Sequence, residues 1–137
     1  MKRYVVDASV ILVGLLESRK SLVESVRDIF SSATAGEIEL ISSKFLIMEV
    51  ANGIRFNERD VAKAQKFFKG FLDLHIRLIS LSKTSQKESL FLSYKLGTTV
   101  YDTSYHVLAK AQSATFLTCD EEYYKKAKGL GDIELLN

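Results

Sequence analysis

Residues 4–11, Tyr4-Val5-Val6-Asp7-Ala8-Ser9-Val10-Ile11, change their period at a single carboxylate. Before it, Arg3 to Val6 is β-branched and aromatic, and reads as a short buried strand. After it, from Ala8 to about Glu17, Val10, Ile11, Gly14 and Leu15 recur on one helical face. Asp7 sits at the junction, which is how a βαβ unit opens.

The same alternation continues outward. A helix is expected from about Lys20 to Ala33, with Leu22, Val23, Val26, Ile29 and Phe30 inward and Ala35-Gly36 at its end. Ile38 to Ile41 reads as a strand closed by Ser42-Ser43, either of which can cap a helix running to about Arg55. Gly53 suggests a break, and Asn57 a cap for the next helix, Glu58 to Leu72. His75 to Leu81 reads as a strand, and Ser82 caps a helix from Lys83 to Leu96 that Gly97 stops. Another helix begins near Tyr101 or Asp102 and reaches about Ser113. Thr115 to Thr118 is a strand leading into the capping-box pattern Thr118-Cys119-Asp120-Glu121 and a helix to about Lys128. Gly129 and Gly131 flank a turn before a last strand, Ile133 to Leu136. The expectation is an α/β fold: one domain over residues 1–137, with about five short, mostly parallel strands and helices on both faces. Ligands of such sheets sit at the carboxyl ends of the strands, near a switch in strand order. Asp7 and Asp120 both fall there.

Composition agrees with one folded unit. At 137 residues, with 47% hydrophobic and 26% charged side chains, the chain can bury a core rather than remain disordered. Its single cysteine, Cys119, excludes an intrachain disulfide and a cysteine-rich zinc site. The apolar run Tyr4-Val5-Val6 is too short for a signal peptide, and no stretch approaches the roughly 18 apolar residues of a membrane helix. A soluble, cytoplasmic protein without membrane association is expected. Net charge is only +2, from 19 basic and 17 acidic side chains, which alone does not point to nucleic acid. If several of those carboxylates neutralise a cation, the remaining surface is basic.

Four acids stand out. Asp7 taken singly reads as an N-cap. Asp120 falls in the first turn of its helix, where the dipole favours negative charge and Thr118 already supplies the cap. Asp102 opens a helix whose core side is Val107, Leu108 and Ala111, and is again a cap or a dipole partner. Glu49 is the unusual one. Between Ser42 and Ile54 the other charged residue is Lys44, and Ile47, Val50, Ala51 and Ile54 form an apolar stripe. Phe45, Leu46 and Met48 make much of the remaining face apolar, so a helix buried nearly all round is expected. A carboxylate there is costly unless paired or bound to metal. Asn52 lies one turn on, on the same side.

Val6-Asp7-Ala8-Ser9, Glu49-Val50-Ala51-Asn52, Tyr101-Asp102 leading to Leu108-Ala109, and Leu117-Thr118-Cys119-Asp120 occur in that order, at spacings similar to those of the PIN-domain family. The chain resembles its VapC-like toxins in particular, from Tyr4 to about Lys128, with Cys119 an unusual neighbour for the last acid. The resemblance implies a three-layer α/β/α domain and an endoribonuclease that hydrolyses RNA with Mg²⁺ or Mn²⁺. It also implies a small antitoxin partner, although an RNA-processing nuclease without an antitoxin would look the same. Asp7, Glu49, Asp102 and Asp120 would form the acidic site. Of these, Asp7 and Asp102 would be direct ligands, Glu49 would bind through water or act on the attacking water, and Asp120 would hold a second ion or tune the first. Ser9, Asn52 and Thr118 would support them. Physical chemistry agrees: converging carboxylates repel one another unless a cation intervenes, and an all-oxygen set suits hard divalent ions.

Other residues attract simpler readings. His106 is one turn after Asp102 but lacks a third ligand, and His75 reads as structural. Cys119 reads as a small, partly buried side chain rather than a nucleophile. Phe67, Phe68, Phe71 and Leu72 exceed one amphipathic face, which suggests either core packing or a homodimer surface. Arg55, Arg59, Lys63 and Lys66, and Lys125, Lys126 and Lys128, could meet RNA phosphates or simply face solvent. A phosphoacceptor receiver domain is the rival of another class. It fits poorly, because Asp7 has no acidic neighbour and the segment Ser80-Leu81-Ser82 carries no aspartate.

Overall fold

A computed structural model describes residues 1–137. Five strands, β1 (Lys2–Val6), β2 (Ile38–Ser43), β3 (Arg77–Ile79), β4 (Thr115–Thr118) and β5 (Ile133–Leu135), form one sheet. Their order is β3-β2-β1-β4-β5 and every neighbouring pair is parallel, so the mostly parallel expectation becomes wholly parallel. Seven helices connect them: α1 (Ala8–Leu16), α2 (Lys20–Thr34), α3 (Leu46–Asn57), α4 (Val61–Leu72), α5 (Lys83–Leu96), α6 (Val100–Ala111) and α7 (Glu121–Ala127). The result is a three-layer α/β/α domain. In one layer α6 spans β1, β2 and β4 with α5 stacked on it; in the other α1 crosses β1 and β4 with α2, α3 and α4 gathered about it.

The central strands are buried because both faces are covered. Val5, Val6, Ile41, Phe116 and Leu117 meet Val10, Ile11, Leu22, Val26, Leu46, Val50 and Tyr105 in one core. The chain travels from β1 to β2 and β3 on one side, then returns to place β4 and β5 on the other. The switch point therefore lies between the carboxyl ends of β1 and β4.

Several local expectations change. Ser42 and Ser43 extend β2 instead of closing it; the Ser42 hydroxyl, fully buried, donates to the Val6 carbonyl (2.6 Å) and ties β2 to β1. Gly53 does not break α3, which continues to Asn57, whose amide donates back to the Gly53 carbonyl (2.7 Å). Asn57 is thus not the cap of α4; that helix starts at Val61, with the Asp60 carboxylate accepting from the Ala62 N–H (3.0 Å). The expected strand from His75 to Leu81 shrinks to Arg77–Ile79, because an edge strand has one partner and β2 supplies only three positions of register. Thr118 does not cap α7: Asp120 does, accepting from the Tyr123 N–H (3.0 Å). Nor is Asp102 a cap, since α6 begins at Val100 and Thr99 accepts from the Asp102 N–H (3.1 Å).

The helix expected to be buried all round is not. In α3, Leu46, Val50 and Ile54 are buried, but Met48 and Phe56 are 71% and 77% exposed. The surplus aromatics of α4 resolve the other way: Phe71 is buried, Phe67 and Phe68 pack on the core, and only Leu72 stands out.

Candidate active site

Asp7 follows the last residue of β1 and is itself almost wholly buried. Its position is over-determined by three donors. The Ser9 hydroxyl (2.5 Å) and the Val10 N–H (3.3 Å) donate to Oδ1, and the Thr118 hydroxyl (2.6 Å) donates to Oδ2. Ser9 and Thr118 are in turn fixed from the facing loop, Ser9 by accepting the Cys119 N–H (3.0 Å) and Thr118 by accepting the Asp120 N–H (3.1 Å). One cluster of short side chains thus closes the crevice between β1 and β4. Asp7 caps α1 and also lies at the switch point.

The other acids gather around it. Glu49 projects from the first turn of α3, Asp102 from the first turn of α6, and Asp120 from the loop after β4. Their mutual influence is electrostatic. Burial pushes the Asp7 carboxyl up to about 6, against the opposing pull of its donors, and the Asp102 charge adds to the rise. Glu49 is raised by burial and by the charges of Asp102 and Asp7, and Asp102 by burial and by Asp120. Each carboxylate makes its neighbour harder to ionise, the condition a bound cation relieves.

A cavity of about 170 Å³ opens beside Asp102 and Asp120, lined also by Thr98, Thr99, Glu122, Tyr123 and Lys126. The Lys126 ammonium sits at its edge, donating to the Gly97 carbonyl (3.0 Å). No three His, Cys, Asp or Glu side chains stand close enough together to hold one ion by themselves. The donors still fit a hard cation such as Mg²⁺, which takes one or two carboxylates and keeps several waters. One Glu49 oxygen, Oε1, is buried without a well-formed hydrogen bond, and the Tyr105 hydroxyl is its near neighbour. Larger hollows lie elsewhere. One of about 450 Å³, lined by Met1, Ile38, His75 and Arg77, is at the amino ends of the strands, away from the acids.

Of the supporting residues expected from the sequence, Ser9 and Thr118 join the cluster, whereas Asn52 is exposed and makes no hydrogen bond to it. One turn along a helix puts Asn52 near Glu49 in height, but α3 buries the flank of Val50 and Ile54 and turns Asn52 outward. Arg55 and Arg59 are exposed near the α3–α4 groove, where Arg55 lines a hollow with Ile54, Val61 and Phe68. Lys125 is exposed on α7, and its neighbour Lys126 is the one at the cavity. His106 is buried, with Nε2 donating to the Gly131 carbonyl (2.7 Å) and Nδ1 facing the Tyr123 hydroxyl (2.9 Å), so neither nitrogen is left for a metal. Burial pushes the Cys119 thiol up to about 11, which removes it as a nucleophile.

Three residues near the site escaped the sequence reading. Arg19 reaches from the α1–α2 turn to donate to the Cys119 carbonyl (2.7 Å), bracing the loop that carries Asp120. Ser43 and Tyr105 lie beside Glu49; the sequence offers Ser43 only as one of two possible helix caps and marks Tyr105 with no role.

A family model described as PIN domain matches residues 4–129. No curated protein matches the chain. Among solved structures, the Rickettsia felis VapBC2 complex bound to promoter DNA is similar, with a TM-score of 0.72 and 15% identity over 98% of this chain and 99% of that one. The DNA-bound VapBC of Salmonella typhimurium matches with a TM-score of 0.71 and 14% identity over 100% of both chains. A protein from Pyrobaculum aerophilum has a TM-score of 0.64 and 22% identity over 93% of this chain and 87% of that one. At these identities the likeness is one of fold.

Proposed function

The chain belongs to the PIN-domain family, whose members are nucleases, and on that premise we propose that it is a metal-dependent endoribonuclease with a site formed by Asp7, Glu49, Asp102 and Asp120. The observation that carries the reading is Asp7: a carboxylate buried at the switch point, held by three donors and made reluctant to ionise by burial and a neighbouring acid. A purely structural cap gains nothing from that arrangement.

Asp7 and Asp102 would be the direct ligands of Mg²⁺ or Mn²⁺. Glu49 would bind through water or act on the attacking water, and Asp120, whose Oδ1 caps α7, would have Oδ2 left to hold a second ion or tune the first. A bound ion supplies an acidified water and stabilises charge on the phosphate and leaving oxygens. Ser9 and Thr118 keep the Asp7 oxygens from rotating, so the acids are oriented before substrate arrives. Lys126, at the cavity edge, meets a phosphate oxygen of single-stranded RNA, with Lys125, Arg55 and Arg59 as outer contacts.

The toxin of a VapBC-type pair is the biological role that fits, with a small antitoxin as partner. The similar solved structures named VapBC, alike over nearly their whole length, support it. A short upstream reading frame encoding a DNA-binding protein would be the corresponding sign in the genome, and its absence would favour an RNA-processing nuclease without an antitoxin. A second copy of the chain is the other proposed partner, covering the outer face of α5, where Leu90, Phe91 and Tyr94 are 52%, 62% and 84% exposed.

The test is cleavage of a single-stranded RNA by the purified chain. Activity should disappear in excess EDTA and return with Mg²⁺ or Mn²⁺. Undiminished cleavage in EDTA overturns the metal-dependent reading.

A further inference from the structure

Two buried polar atoms lack a hydrogen-bond partner, and they belong to neighbours: Oε1 of Glu49 and the phenol oxygen of Tyr105. Tyr105 is fully buried in α6, one turn after Asp102, with its ring stacked on Phe116 at a centroid distance of 6.2 Å. The stack fixes the ring, so the hydroxyl can only point where it does. The polar side chains beside it are the Glu49 carboxylate and the Ser43 hydroxyl. A buried phenol with nothing to bond is destabilising, and such groups in folded proteins mark a missing partner or a function. A phenylalanine would fill the same space without that cost.

We propose that Tyr105 is a positioning residue for Glu49. Its hydroxyl would donate to Oε1 of the carboxylate, leaving Oε2 as the oxygen available to a cation. The two groups already stand side by side, near enough for each to influence the other's charge, without a well-formed hydrogen bond between them. This rests on the acidic metal site proposed above, and it assigns to a core aromatic the task of choosing which Glu49 oxygen works.

The experiment is Mn²⁺ titration of the full chain, followed by the loss of the free-ion paramagnetic resonance signal, for wild type, Tyr105→Phe, Glu49→Gln and the double variant. Tyr105→Phe should weaken Mn²⁺ binding about tenfold, as loss of a ligand-orienting partner does, while its thermal unfolding in EDTA stays level or improves. On the Glu49→Gln background the same change should alter affinity less than about twofold, because the oxygen it orients is gone. Equal Mn²⁺ affinity in wild type and Tyr105→Phe overturns the proposal, as does an equal loss on both backgrounds. A wild-type chain that binds no Mn²⁺ overturns the metal site itself, and this inference with it. A crystal structure of the Mn²⁺-loaded wild type provides a check independent of any variant. A phenol–carboxylate separation within about 3.0 Å supports the bond, and one beyond about 3.5 Å excludes it.

Discussion

At Asp7 one carboxylate closes the first turn of α1 and anchors the proposed site, and the two roles make different demands. Capping needs a single acceptor oxygen, which asparagine retains; binding a cation needs the charge. Asp7→Asn is therefore expected to leave the fold intact and to cut RNA cleavage at least about 100-fold, beyond the usual cost of losing an orienting partner. Wild-type rates in the variant would remove Asp7 from the site, and lost stability with retained activity would leave it only the cap. Protonation gives a second expectation. The Asp7 carboxyl is held at about 6 in the folded chain against an ordinary value of 3.8. Between those values the native state binds more protons than the unfolded chain, so stability falls as pH rises through the window. The penalty is complete above the folded value and absent below the unfolded one, and amounts to about 2–3 kcal/mol. Glu49 and Asp102, also raised, add in the same sense. Urea midpoints measured in EDTA should fall between about pH 4 and pH 6.5. Asp7→Asn should flatten that fall, and Mn²⁺ at neutral pH should offset it. A midpoint that rises across the window contradicts this account.

Among the elements, α1 shows what close approach requires. A β-carbon on Gly14 would lie 2.9 Å from Val26 Cγ1 and 3.1 Å from Phe30 Cε2, and Val26 is fully buried. On α3, one placed at Gly53 would overlap the Leu12 side chain of α1. These glycines let two helices lie against α1, and neither is a helix stop. Alanine normally stabilises a helix interior by about 1 kcal/mol over glycine, but overpacking costs about 1–3 kcal/mol. Gly14→Ala is therefore expected to lower unfolding stability by on the order of 1 kcal/mol net, read as a drop in the urea midpoint. A midpoint that rises would mean the α1–α2 contact is looser than described. On α5 the usual polarity is blurred. Its inner side mixes Leu92 with Ser85, Ser89 and Ser93, the last two donating to helix carbonyls, while Leu90, Phe91 and Tyr94 face out. No helical period in the sequence marks such a face, since hydrophobic periodicity presumes that apolar means inward.

For the whole molecule, that outward face leads to a prediction about assembly. Leu90, Phe91 and Tyr94 on α5 adjoin a surface where Val100, Tyr101 and Phe45 are also exposed, the last two rings packed edge to face at 5.9 Å. Patches of this kind mark interaction surfaces. Light scattering should give a particle about twice the chain's 15.4 kDa, and Phe91→Asp should return it to the monomer. A wild-type monomer at high concentration contradicts the homodimer. The sequence pointed to a different surface, α4, because Phe67, Phe68 and Phe71 outnumbered one helical face, yet the core absorbs all three. What the sequence alone determined was local and periodic: β-branched runs alternating with helices, the parallel sheet they imply, and acids at the ends of β1 and β4. Each of those signals needs only near neighbours in the chain. Helix boundaries were looser, in part because the chain has no proline to end one. Tertiary structure alone decided which side of α3 is buried, and so that Glu49 lies near Asp7 and Asp102 while Asn52 is turned to solvent. It also decided that Thr118 bonds Asp7 across 111 positions rather than capping its own helix, and that Tyr105 ends beside Glu49. Such choices depend on competition between partners far apart in sequence, and burial settles it only once the layers have packed.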